Sequence, residues 1–214
     1  MKIFRSLVLD EIEKFAREFD SIEERRQKEL IAIGEYIAES VDRGKTAKLI
    51  FICTHNSRRS HIAQIWASAA SAYYNVSDIE FYSGGTEETT FNPKAIEALR
   101  RSGFRIEKKD DSKNPVYSVY YLDSATENDV KCLSKKYDSN YNPRKDFIAV
   151  MTCSHADENC PLVHGAEKRF SLHYIDPKEF EDTDVEKRKY DEICKQIGKE
   201  IFFLFSIVKN NLSY

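Results

Sequence analysis

An α/β fold built on a parallel sheet is predicted by three features of the sequence. Lys48–Cys53 and Phe147–Thr152 are short, nearly continuous apolar runs, as strands buried on both faces require. Between such runs the apolar residues fall into helical spacing, so strands alternate with helices. Glycine and Asn-Pro signals punctuate the segments at Gly84-Gly85, Asn92-Pro93 and Gly103.

Taken in order, residues 1–46 carry almost no strand signal. Ile12, Phe15, Phe19 and Ile22 recur at steps of three and four, and Leu30, Ile33, Ile37 and Val41 repeat the pattern. These predict a helical pair packed on the main domain, with a Ser21/Glu24 capping box between them and Gly44 as a C-terminal cap. The first strand is Lys48–Cys53, followed by a polar turn and a helix carrying Ile62, Ile65, Trp66 and Ala69. The second strand is Ile79–Ser83, and Asn92-Pro93 opens a helix running through Arg101. Residues 107–146 interrupt the rhythm. Val116–Leu122 and Val130–Leu133 read there as a short hairpin, with a polar turn over Asp123–Asp129. The third and fourth buried strands are Phe147–Thr152 and Arg169–Tyr174. A Thr183/Glu186 capping box then starts a long helix with core positions Tyr190, Ile193, Ile197, Ile201 and Phe205.

Composition removes several classes of function. The chain has 214 residues, and 33 Lys+Arg against 36 Asp+Glu leave a net charge of −3, without the basic excess of a nucleic-acid binder. Hydrophobic residues make up 41%, enough for a packed core, so extensive disorder is not expected. No apolar run approaches the roughly 18 residues of a membrane span, so a soluble protein with no membrane association is expected. The apolar stretch at the N-terminus is too short for a secretory signal. Five cysteines are an odd count at low density, unlike a disulfide scaffold, which points to the reducing cytoplasm.

Chemistry concentrates at Cys53-Thr54-His55-Asn56-Ser57-Arg58-Arg59-Ser60, between a buried strand and an amphipathic helix. A loop in that place can curl round an oxyanion, with backbone N–H groups and the helix N-terminus facing the charge. The same field favours the nucleophilic thiolate of Cys53. Arg59 supplies a planar fork for two oxygens of a tetrahedral anion, and Ser60 can donate to the thiolate. The alternative is a surface turn with an idle thiol.

Cys153 and Cys160 flank a second loop at the end of the third strand. In a parallel sheet the C-terminal strand ends line one crevice, so this loop opens near Cys53. Redox use, coincidence, or metal binding with His155 or His164 all fit the residues, though no second paired-ligand cluster supports zinc. Asp176-Pro177 follows the fourth strand on the same sheet edge; it is either a simple turn or a proton donor for a leaving oxygen or thiol. Arg58, Lys168 and Arg169 either steer anions or are solvated surface. Cys132 and Cys194 have no partner by spacing and read as core.

These pieces together resemble the low-molecular-weight protein tyrosine phosphatase superfamily, and within it the thioredoxin-coupled arsenate reductases. The resemblance covers about residues 48–208. It rests on Phe51 through Ser60, Ser83-Gly-Gly-Thr-Glu with Phe91-Asn-Pro-Lys-Ala-Ile, Cys153 through Cys160-Pro161, and Asp176-Pro177. It implies a three-layer sandwich with a central four-stranded parallel sheet at 47–214, preceded by a helical extension at 1–46 and carrying the 107–146 insert. It also implies Cys53 as nucleophile, Arg59 as oxyanion ligand, Asp176 as acid, and Cys153 and Cys160 as relay cysteines, which hydrolytic phosphatases generally lack. The implied substrate is arsenate or a phosphate-type oxyanion held by residues 54–60, with thioredoxin as reductant and no organic cofactor or metal. A phosphomonoester hydrolase and a non-catalytic phosphate- or arsenate-binding protein are the alternatives. Three departures stand out. His55 replaces a loop glycine, and Gln64 stands where potassium-binding reductases carry a carboxylate, which leaves a monovalent cation site open. No tyrosine directly follows Asp176-Pro177, which favours a small inorganic substrate.

Overall fold

The computed structural model describes residues 3–123 and 129–213. Four strands, β1 (Ala47–Cys53), β2 (Ile79–Gly85), β6 (Phe147–Met151) and β7 (Ala166–Ser171), form one parallel sheet in the order β2-β1-β6-β7. β1 is central, paired along its length with β2 and over Leu49–Ile52 with β6, and its residues from Leu49 onward are all buried. Its last residue, Cys53, pairs with Gly85, and Ile52 pairs with Met151, so three strand ends and the loops beyond them share one edge.

Helices flank both faces. On one side lie α3 (Arg59–Tyr73), α4 (Pro93–Arg101) and α6 (Glu186–Asn211), joined by α1 (Ser6–Arg17) and α2 (Glu24–Asp42) from the N-terminal segment. All contribute to a single core. The Trp66 ring lies 5.2 Å from Phe15, 4.7 Å from Phe104 and 5.8 Å from Phe202, so α1 is embedded rather than laid on the surface. Gly198 makes this possible, because a Cβ there would stand 2.7 Å from the Phe15 ring and 2.8 Å from Trp66. The other face, Ile50, Ile52, Phe147, Ala149 and Met151, is covered by the short α5 (Ser154–Asn159) through Ala156, and by Val163, Tyr82 and Tyr137. No helix among the described residues is long and apolar enough to cross a membrane.

Several expectations shift. The insert is a three-stranded antiparallel sheet, not a hairpin: β3 (Arg105–Lys108), β4 (Tyr117–Tyr120) and β5 (Val130–Cys132), in that order. β3 escapes a reading by hydrophobicity because only Ile106 of its four residues is buried. The turn expected at 123–129 falls mostly on 124–128, outside the described residues. The fourth parallel strand starts and ends three residues earlier than expected. The apolar Leu172 and Tyr174 lie beyond it, where their N–H groups still bond to Met151 and Thr152 without continuing the strand. Neither capping box forms. Ser21 Oγ turns back to the Glu18 carbonyl (2.6 Å) at the end of a 3-10 turn, and Thr183 Oγ1 to the Phe180 carbonyl (2.6 Å), while α2 and α6 start later, with Glu23 and Val185 at their N-caps. That 3-10 turn, Phe19–Ser21, also ends the helical run before Phe19 and Ile22. Asn92 does cap α4, accepting from the Lys94 and Ala95 N–H groups, with Pro93 in the first turn.

Candidate active site

The loop from Cys53 to Arg59 is held from outside by its own carbonyls. The Cys53 and Thr54 oxygens accept from the Thr86 and Glu87 N–H groups (3.1 and 2.8 Å), His55 from Ser134 Oγ (3.0 Å), and Ser57 from Asn92 N–H (2.9 Å). In a trans peptide the next N–H points opposite to the carbonyl, so the N–H groups of Thr54, His55, Asn56 and Arg58 are turned toward the inside of the loop. Inward N–H groups at the start of α3 are an arrangement that can cradle an oxyanion. The sharp bend falls on Asn56 (φ 45°), whereas His55 is not left-handed. The glycine replaced by His55 is therefore not required at that position, and asparagine tolerates the left-handed region better than most residues. Asn56 is itself fixed, with Oδ1 accepting from Lys135 N–H (2.9 Å) and Nδ2 donating to Ser60 Oγ (2.9 Å). Ser60 Oγ, which accepts from Asn56, lies 3.1 Å from Cys53 Sγ, where its hydroxyl can donate to a thiolate. Gly85 lets β2 come this close, since a Cβ on it would sit 2.6 Å from the Thr54 carbonyl oxygen and 2.7 Å from Asn56 N.

Asp176 reaches this loop from the segment after β7. Its Oδ2 accepts from Arg59 Nη2 (2.6 Å) and its Oδ1 from Arg58 Nε (2.9 Å). Burial pushes the Asp176 carboxyl up, but the charges of Arg59 and Arg58 outweigh it and hold the group below its ordinary value. Arg59 Nη1 donates to the Tyr174 carbonyl (2.9 Å), and Arg59 Nε, buried and without a hydrogen-bond partner, remains for an anion. Thr54, His55, Arg59, Cys153, His155 and Asp176 line a common cleft of about 610 Å³.

Cys153 is buried at the start of α5, where its Sγ accepts from Ala156 N–H (3.4 Å) and lies 3.5 Å from Thr54 Oγ1. Thr54 Oγ1 is also 3.2 Å from His155 Nδ1, a contact that sequence spacing did not suggest. Cys160 lies at the far end of α5, partly exposed, its thiol near the Leu162 carbonyl. Two helical turns separate the relay candidates by roughly 10 Å of rise, beyond disulfide reach while α5 stays folded. Asp157 ties α5 to β7 and its exit: Oδ2 accepts from Ser171 Oγ (2.5 Å) and His173 Nε2 (2.7 Å), and Arg169 pairs with the same carboxylate.

The remaining candidates separate from the site. Arg169 is engaged by Asp157, and Lys168 packs over Tyr36 and Phe170. Cys132 and Cys194 are buried in the core, where desolvation pushes each thiol up to about 12. Gln64 donates to the Phe81 carbonyl (3.1 Å), leaving Oε1 without a partner. Among the described residues no three of His, Cys, Asp and Glu gather as a metal site.

Known proteins of similar sequence and fold are phosphatases and arsenate reductases. A family model described as low molecular weight phosphotyrosine protein phosphatase matches residues 48–118. The chain is 30% identical over 129 residues to arsenate reductase 2 of Staphylococcus epidermidis, an alignment covering 60% of this chain and 77% of the relative. It is 27% identical over 154 residues to an arsenate reductase of Halalkalibacterium halodurans, covering 72% of this chain and 91% of the relative. In fold it is similar to the YwlE mutant from Bacillus subtilis, with TM-score 0.52, 13% identity, and coverage of 75% of this chain and 97% of that one.

Proposed function

This chain belongs to the low-molecular-weight phosphotyrosine protein phosphatase family and is a cysteine-dependent enzyme, an arsenate reductase or a phosphatase; from that premise we propose that it reduces arsenate through a three-cysteine relay. The observation that carries the reading is the second buried thiol, Cys153, set beside Thr54 at the strand end next to Cys53. A hydrolase needs only Cys53, Arg59 and an acid.

Cys53 thiolate attacks arsenate, forming an S–As bond with loss of water, while the loop N–H groups and Arg59 hold the oxygens. Cys153 then attacks Cys53 Sγ. The S–S bond forms as the electron pair of the S–As bond passes to arsenic, which leaves as arsenite. Cys160 attacks Cys153 and releases Cys53 as thiolate, and the Cys153–Cys160 disulfide is reduced by thioredoxin through thiol exchange. The last internal step requires α5 to unwind, because its folded length keeps the two thiols apart.

Arsenate-dependent NADPH oxidation with thioredoxin and thioredoxin reductase, run beside aryl phosphate hydrolysis, tests the reading. Peptide mapping after one turnover is expected to find Cys153–Cys160 in the wild type and Cys53–Cys153 in Cys160→Ser. Undiminished arsenate turnover in Cys153→Ser/Cys160→Ser would discard the relay.

The pairing of Asp176 with Arg59 favours phosphomonoester hydrolysis as a second reading. A bound dianion competes for Arg59, and Asp176, relieved of that charge, takes up the proton it would pass to a leaving oxygen.

A further inference from the structure

The segment Leu172–Asp176 has no regular structure, yet it presents both the carbonyl that accepts from Arg59 and the carboxylate that pairs with it. What holds its outer side is a residue from the N-terminal helices. Arg26 Nη2 donates to the His173 carbonyl at 2.8 Å, and its guanidinium stacks over the Tyr174 ring at 4.8 Å from the centroid. Arg26 is itself fixed by Glu200 of α6 (Nε–Oε2 2.8 Å) and by Glu29 one turn along α2 (Nη1–Oε2 2.9 Å). The Arg26 side chain is 16% exposed and that of Glu200 5%. All three nitrogens of the fork are used, on three different elements. The next carbonyl along the segment, that of Tyr174, is the one bonded to Arg59, and Asp176 follows two residues later.

We propose that Arg26 is a positioning residue for the oxyanion site: through the His173 carbonyl and the Tyr174 ring it sets the Tyr174–Asp176 segment against Arg59, so helix α2 takes part in shaping the site. This rests on Arg59 and Asp176 serving the bound oxyanion, and it holds for reduction and hydrolysis alike. A lysine cannot replace Arg26. Its ammonium keeps a charge opposite Glu200 but is a single point, unable to reach Glu200, Glu29 and His173 together or to lie flat on a ring.

Arg26→Lys is compared with wild type and with Arg101→Lys, which alters an interhelical pair with Asp191 that includes neither Arg59 nor Asp176. Inorganic phosphate is titrated as a ligand by calorimetry, and hydrolysis is followed for aryl phosphates of good and poor leaving groups. Arg26→Lys is expected to melt cooperatively, to bind phosphate at least about tenfold more weakly, and to lose more kcat on the poor leaving group, since small misplacements can reach roughly 100-fold. Arg101→Lys is expected to match wild type in both. Should Arg26→Lys fold poorly, Arg26→Met/Glu200→Gln removes both charges together and is read in the same way. Wild-type phosphate affinity with unchanged leaving-group dependence in the folded variant overturns the proposal, as does a uniform loss that tracks the folded fraction. Cys53→Ser, measured alongside, separates the two ideas. Turnover surviving in it defeats the catalytic reading, while phosphate affinity still reports on Arg26.

Discussion

Asp176 carries two opposed influences, since burial favours its protonated form and two guanidinium groups favour its anion. The second prevails, so its folded value lies below its unfolded one. The stability it contributes is therefore complete above the ordinary aspartate range near pH 4 and is lost as pH falls through the lower, folded value. Asp176→Asn is expected to be less stable than wild type at pH 7, with the gap closing below about pH 4 as wild type loses the same interaction. Urea unfolding at pH 7 and pH 3 checks this, and a constant gap would mean that the ionic pairing contributes nothing. The same variant is expected to hydrolyse poor leaving groups about 10²–10⁴-fold more slowly, and good ones with a smaller loss. Equal losses on alkyl and nitrophenyl esters would make Asp176 a turn residue. The position of Asp176 was legible from the strand before it. Its double arginine pairing was not, because Arg58 and Arg59 lie more than a hundred residues away. Asn56 shows the converse: an asparagine in a tight loop is a local signal for a left-handed residue, whereas attention falls naturally on His55 where a glycine was expected.

At the scale of elements, the two inner parallel strands, β1 and β6, could be read because burial on both faces leaves a nearly unbroken apolar run. β3 and β7 could not be delimited that way. The first is four residues with one buried side chain, and the second is an edge strand whose pattern is mostly polar. The capping boxes failed for a different reason: α2 and α6 start two residues later, with Glu23 and Val185 at their N-caps, and the Ser21 and Thr183 hydroxyls bond backward instead. Helix α5 is too short to be stable alone, as isolated helices below about 12 residues are marginal. Its tether is Asp157, and hydrogen bonds to a charged group contribute about 1.5–3 kcal/mol. Asp157→Ala is accordingly expected to raise the rate at which a thiol reagent labels buried Cys153 by roughly tenfold or more. It should also accelerate formation of the Cys153–Cys160 disulfide after turnover, with aryl phosphate hydrolysis little changed. Mass spectrometry of pulse-labelled peptides measures the first effect, and unaltered Cys153 labelling would mean that α5 is held by other contacts.

For the whole molecule, the N-terminal helices and the α/β part share one hydrophobic interior. Phe15 of α1 meets Trp66 of α3 and Phe202 of α6. Phe15→Ala is expected to destabilise the entire chain by about 3–5 kcal/mol, the usual loss for an aromatic removed from a core. A single cooperative thermal transition at lower temperature is the expected outcome; a separate early transition, with the remainder melting as before, would instead show that residues 1–46 unfold independently. Helical periodicity revealed these helices, but not which surface receives them, since that depends on residues near 66 and 200.

Gly198 lies inside a 26-residue helix, where glycine is less favourable than alanine by about 1 kcal/mol. The rings of Phe15 and Trp66 leave no space for anything larger. One of those rings comes from α1 and the other from α3, so two helices close on this single position of the third. Glycine at this one position is therefore a crossing point rather than a loose joint: the missing side chain lets α1, α3 and α6 meet in one place, at the cost of some intrinsic helix preference.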